Sequence, residues 1–549
     1  MRTSRAALAK LCAQLRRGDV VAAGMAARTL RSLTADGGPR CDCIVSVGGT
    51  EALLAALSLP EAAVATNAAV ALHSLLTDGD EGYPVRCASV VESGGVAVLV
   101  AALRREEGQL AAHAAGALAC LTAGADDGCA DRCEAIRSAR GIVTLVAATR
   151  REEATVAAGA ACVLRNLCAG TDEGAAGRRV ALGERGVAAL VEALGRREAL
   201  VAQAAVDALT NVCAGVEAGA WSASRDAVAA HACSLLAAAQ RREKAIATQV
   251  LRLIDVLVGK PSIAAEFIAA DGTAAMVRAA RRREADVVAS AVSVLSKFAR
   301  GSDSSDGARR DGIVVAGGLA ALVAALLRPE AYVAAKAAGC LSALTSDDHG
   351  GASCDARRAA AKAAGAVAPL LRLVKLQAAA AASAASALYN LCCGDDVDGY
   401  VARQQAIVKQ GGLPILVAAV RRPDIAAGVA STLICTLREL FAGDTAACDA
   451  AVAAGAASAL ADLALRIEHD VASAAADALF YLVIGEDANA GVRRDAAVLA
   501  GAGLARCGCW PRAAMRTPAS GETQLWRRAL LQSSPWTWPA TTARSSTRR

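Results

Sequence analysis

One pattern returns along this chain every 41 to 48 residues. A glycine-containing turn leads into an apolar run, then a charged turn, then an Ala-rich run. Gly94-Gly95-Val96-Ala97-Val98-Leu99-Val100 and Gly411-Gly412-Leu413-Pro414-Ile415-Leu416-Val417 are two occurrences 317 residues apart. The apolar residue after each turn sets the register. These anchors are Leu11, Leu53, Leu99, Leu145, Leu190, Leu235, Met276, Leu322, Leu370, Leu416 and Leu460. So regular a period excludes a string of independent globular cores. No unit this short buries its apolar face alone, so each must stack on the next.

Each unit reads as three helices. A short first helix is expected over 86–93, ending at the glycines. Glycine suits the left-handed position that stops a helix. A second helix is expected over 96–103. A third is expected over 156–168, where apolar residues at 156, 160, 163, 164 and 167 keep helical spacing. Composition agrees. The chain is 55% apolar but only 3% aromatic, so its apolar content is Ala, Val and Leu. Small side chains suit helices stacked at close range.

Leu190-Val191-Glu192-Ala193-Leu194, followed by Val201-Ala202-Gln203-Ala204-Ala205-Val206-Asp207-Ala208-Leu209-Thr210-Asn211-Val212, resembles the armadillo repeat. The resemblance covers residues 1–504. It implies an all-α, right-handed superhelix of about ten three-helix units. HEAT-type repeats are the nearest alternative, and the glycine turn with its short first helix favours armadillo. In that family the third helix lines a concave groove, and one slot often carries an Asn that bonds an extended peptide. Here Asn166, Asn211 and Asn390 hold the slot. Asp255, Lys297 and Glu439 hold it in other units and complete the candidate peptide-groove set. Asn there has a second reading, a hydrogen bond to the neighbouring unit. The importin-α branch adds a Trp one turn earlier. The matching positions are Cys162, Asp207 and Ser386, so that array for basic nuclear-import signals is missing.

The charged turns include Arg104-Arg105-Glu106-Glu107, Arg150-Arg151-Glu152-Glu153, Arg196-Arg197-Glu198 and Arg421-Arg422-Pro423-Asp424. Helix ends with pairing inside the turn explain them. The competing reading is a ladder of arginines that recruits an acidic partner. The loops between units are acidic, as in Asp126-Asp127-Gly128 and Asp395-Asp396-Val397-Asp398-Gly399. They fail the calcium pattern: with Gly399 at position 6, positions 1 and 12 are Gly394 and Gln405. They read as solvated turns.

The net charge of +6 is uneven. Residues 506–549 hold eight Arg and one acid, Glu522, a net of +7, so the first 505 residues sum to −1. Nucleic acid is therefore not an expected partner. Residues 505–549 also hold four of the five Trp. Trp221 is the exception and reads as lying in a loop. The anchor due near 506 is Arg506, so the register is lost in mid-unit. A frame change or retained intron in the gene model is one explanation, and a disordered Trp/Pro/Arg-rich tail is the other. At the other end Leu11 has no first helix before it, which suggests a capping unit or a fragment.

The nineteen Cys form no Cys-x-x-Cys pair. Cys168, Cys213 and Cys392 recur at one slot, which marks a small buried side chain and no metal site. A reducing compartment follows, the cytoplasm or the nucleus, without secretion. No signal peptide and no membrane span is expected. Five His occur without a nucleophile or metal partner, so neither an enzyme nor a cofactor is expected. The functional expectation is a monomeric scaffold or adaptor that binds an extended protein or peptide segment. The alternatives are an importin-α-like transport adaptor and the regulatory repeat domain of a larger protein.

Overall fold

The Arg-Arg-Glu turns end one helix and start the next. Glu107, Glu153, Glu198, Glu243, Glu284 and Glu330 each take the N-cap of a long helix, in extended backbone conformation. A carboxylate at that end complements the helix dipole. Each also pairs with the arginine two residues earlier, as in Arg105–Glu107 and Arg151–Glu153 at 2.7 Å and Arg196–Glu198 at 3.1 Å.

The glycine turns divide the work between two residues. Gly94 takes φ 69°, the left-handed region, and stops helix Tyr83–Glu92. Gly95 opens helix Gly95–Ala102, where a Cβ would stand 2.6 Å from the Val90 carbonyl oxygen. The first position needs the conformation and the second needs the space.

The computed structural model describes residues 4–501, except 18, 36, 78–79, 125, 127, 171, 215–219, 301–305, 347–351, 377, 443, 467 and 485–486. The 505–549 tail therefore lies outside the described residues, as does the acidic loop at 347–350. Among the described residues there are 32 helices and no strand. Trp221 falls within helix Ala220–Ala229 and not in a loop, because the short first helix of that unit begins at Ala220.

Two compact units divide the chain, Met1–Ala279 and Ala280–Arg549. In the first, the long helices Val20–Thr34, Ala62–Leu75, Gly108–Ala123, Ala154–Leu167, Ala199–Cys213 and Lys244–Leu257 each pack on the next. In the second, Ala285–Ala299, Ala331–Thr345, Ala378–Cys392, Ala427–Phe441 and His469–Val483 do the same. The core is alanine and leucine. In helix Ala62–Leu75, Ala65, Ala68, Ala69, Ala71 and Leu72 are fully buried. Every anchor from Leu53 to Leu460 is 0% exposed. Leu11 differs and is only half-buried. Helix Arg5–Arg16 buries Leu8, Cys12 and Leu15, and that i, i+4, i+7 stripe turns Leu11 off the core.

The acidic loops are not merely solvated. Asp126 holds Arg132 through two bonds of 2.7 Å, and Arg132 donates Nε to the Leu121 carbonyl at 2.6 Å. Arg132 is buried, and Leu121 lies in the last turn of the preceding long helix. The same arrangement recurs with Arg86, which reaches Leu75 O, Asp80 and Asp42. It recurs again with Arg403, which reaches Leu391 O, Asp396 and Asp355. Each arginine satisfies carbonyls that a helix C-terminus leaves open, and the loop acid supplies its counter-charge.

Cys168, Cys213 and Cys392 are buried, and burial pushes the Cys168 and Cys213 thiols up to about 12. No helix among the described residues is long and apolar enough to cross a membrane.

Candidate interaction surface

Stacked long helices bury most of their circumference and leave one narrow stripe partly open. On helix Ala154–Leu167 the stripe is Gly159, Cys162, Arg165 and Asn166; on Ala199–Cys213 it is Gln203, Asp207, Thr210 and Asn211. Spacings of three and four residues keep these side chains on one face. Glycine lets neighbours approach: a Cβ on Gly159 would stand 2.8 Å from the Ala115 Cβ.

All six candidate groove residues are half-buried on these helices. Their amide donors are largely committed. Asn166 Nδ2 donates to Ala119 O at 3.3 Å and Thr122 Oγ1 at 3.1 Å. Asn211 Nδ2 donates to Arg165 O at 2.9 Å. Asn390 Nδ2 donates to Ser342 O at 2.9 Å and Thr345 Oγ1 at 3.3 Å. All three amides therefore brace one long helix to the one before it. Asn166 and Asn211 are linked through Arg165, whose Nε donates to Asn166 Oδ1 at 3.1 Å. The side-chain oxygens of Asn211 and Asn390 have no partner among the described residues and stay available as acceptors.

Glu439 and Asn390 lie on adjacent helices, and Arg438 holds the Glu439 carboxylate at 2.6 Å. Burial pushes the neighbouring Tyr389 phenol up to about 12 and raises the Asp477 carboxyl, which Arg438 pulls the other way. Asp255 lies in the first unit, on the helix that packs next to that of Asn211, and Lys297 lies in the second unit.

In several units one arginine of the charged turn is occupied. Arg151 donates to Arg105 O at 2.6 Å and Glu106 O at 2.9 Å, in the turn before its own. Arg105 reaches Leu59 O at 2.6 Å and Pro60 O at 3.0 Å. Arg328 reaches Arg282 O at 3.3 Å. These guanidinium groups lace one turn to the previous one, and little of their hydrogen-bonding capacity is left for a partner.

Two features of the stripe escaped the sequence reading. His73 and His113 meet between adjacent helices. An open depression is lined by Arg28, Arg31, Thr66, Asn67, Glu107 and Gln109. Neither follows a motif: the two histidines are 40 residues apart, short of the repeat period.

No family model matches the chain. No curated protein matches it either. Among solved structures, the crystal structure of an engineered protein from a structural genomics consortium matches with a TM-score of 0.62 and 26% identity, over 80% of this chain and 99% of that one. In all, 391 solved chains match. A fold so widely shared identifies no partner.

Proposed function

We propose that this chain is a protein-interaction scaffold of armadillo type. In this reading about ten three-helix units wind into a right-handed superhelix, and the long-helix stripe forms its concave groove. An extended segment of a partner protein lies along that groove, held by many weak contacts and no chemistry. The scaffold acts as a monomer inside the cell. The observation that carries the reading is the unbroken stripe within each unit, where Asn211 and Asn390 offer free amide oxygens to the N–H groups of an extended backbone.

Site-specific photo-crosslinking tests it. A crosslinker at Gln203 or Ser386, both on the stripe, should capture peptides selected from an unbiased library. A crosslinker at Val143, exposed on the short helix Gly141–Ala148, should not. Capture at Val143 alone would refute the groove reading.

A further inference from the structure

Arg105, Arg151, Arg196, Arg241 and Arg328 are occupied by backbone carbonyls of the turn before, but Arg28 and Arg31 are not. They flank the depression over the starts of helices Ala62–Leu75 and Gly108–Ala123. Arg28 is exposed and has no partner among the described residues. Arg31 donates to Asn67 Oδ1 at 3.1 Å, an amide and not a carboxylate. Glu107 is the one acid in the lining. Arg105 holds it with bonds of 2.7 and 3.2 Å and keeps its carboxyl below the usual range. Two guanidinium groups therefore face the opening without a counter-charge.

We propose that this depression seats a carboxylate side chain of an acidic segment in a partner protein. The inference rests on the scaffold reading and names the class of segment that the N-terminal unit takes. A planar guanidinium grips a carboxylate through two parallel bonds. Thr66 and Gln109 supply neutral donors beside it. Nucleic acid fits poorly. It is held through a run of phosphate contacts and stacked rings, whereas two arginines and no Phe, Tyr or Trp line this depression.

Fluorescence anisotropy of the full chain decides the matter. The probes are three labelled peptides of equal length, rich in Asp/Glu, in Asn/Gln or in Lys/Arg, and a single-stranded oligonucleotide of charge matched to the acidic peptide. The acidic peptide should bind tightest. Arg28→Gln and Arg31→Gln should each weaken it about tenfold, and Arg28→Lys should weaken it less. Arg137→Gln, on the short helix Cys129–Ser138, should leave it unchanged. Circular dichroism checks that each variant is folded. Equal binding of acidic and neutral peptides, unchanged binding by both folded Gln variants, or tighter binding of the oligonucleotide would each overturn the proposal. If neutral peptides crosslink to the stripe while acidic ones show no preference, the scaffold reading stands and this inference falls. If no peptide engages the stripe, both fall.

Discussion

His73 Nδ1 stands 3.2 Å from His113 Nδ1, across the contact between helices Ala62–Leu75 and Gly108–Ala123. The rings lie 5.5 Å apart at a tilt of 52°, and a Cβ on Gly116 would stand 2.6 Å from the His73 ring. The pair fills the space that a side chain at 116 would take. With both rings neutral, one nitrogen donates and the other accepts. With both protonated, two donors face each other and repel.

Acidification should therefore loosen this contact. Burial holds both imidazoles below their ordinary 6.5; the His113 charge adds to this for His73, and the Arg31 charge does so for His113. A depressed histidine contributes its full stabilisation above 6.5, and this is lost as pH falls through the folded-state value. The midpoint of thermal unfolding should drop from about pH 7.5 to about pH 5, and drop less in His113→Gln. NMR titration midpoints at or above 6.5 for both rings would contradict this.

Removing a buried arginine should cost more than removing an exposed one. Arg132→Met leaves Asp126 and the Leu121 carbonyl without their partner. The expected loss is about 3 kcal/mol by urea unfolding. Hydrogen exchange should rise first in helices Gly108–Ala123 and Cys129–Ser138, because contacts in such an array are local. Arg132 also holds the Asp126 carboxyl below its ordinary 3.8, so this stabilisation persists above that value and fades as pH falls through the folded-state value. Uniform loss of protection through both units would argue against the local account.

Glycine substitutions should separate conformation from space. Gly94→Ala meets nothing within 4 Å but keeps φ 69°, a cost of about 1 kcal/mol. Gly95→Ala should cost more, since a backbone carbonyl must move. Gly177→Ala, exposed with open space around it in helix Glu173–Leu194, should gain about 0.5–1 kcal/mol. Thermal melts of the three rank them; a Gly95→Ala variant as stable as wild type would discount the close approach.

Arg151→Lys tests the lacing of the turns. Lysine keeps the charge but cannot fork between Arg105 O, Glu106 O and Glu153. A loss of about 1–2 kcal/mol is expected. Arg104→Lys, which gives up only a bond to Thr144 Oγ1 at 3.0 Å, should lose less. Equal effects would mean that the backbone bonds contribute nothing.

Much of the architecture was legible before any coordinates. The three-helix unit, the glycine stops and the Arg-Glu pairing inside each turn depend on residues within a few positions of one another. The spacing Asp80–Arg86, Asp126–Arg132 and Asp172–Arg178 is equally local and was there to be read. Its meaning is hidden in the sequence, because a loop acid looks solvated until the arginine six residues on is known to be buried.

The stripe shows the limit. Sequence alone placed Asn166, Asn211 and Asn390 on the same face of their helices, because side-chain direction follows helical period. Only the tertiary structure decided what their amides do. Their partners, Ala119, Arg165 and Ser342, lie 46 to 48 residues earlier in the chain. Burial follows a local pattern of hydrophobicity, but the partner of a polar group depends on which atoms stacking brings within 3 Å. For the same reason Arg105, Arg151 and Arg328, which in sequence look free to meet an acidic partner, bind the backbone of the turn before. Arg28 and Arg31, which no motif marks, are left facing open space.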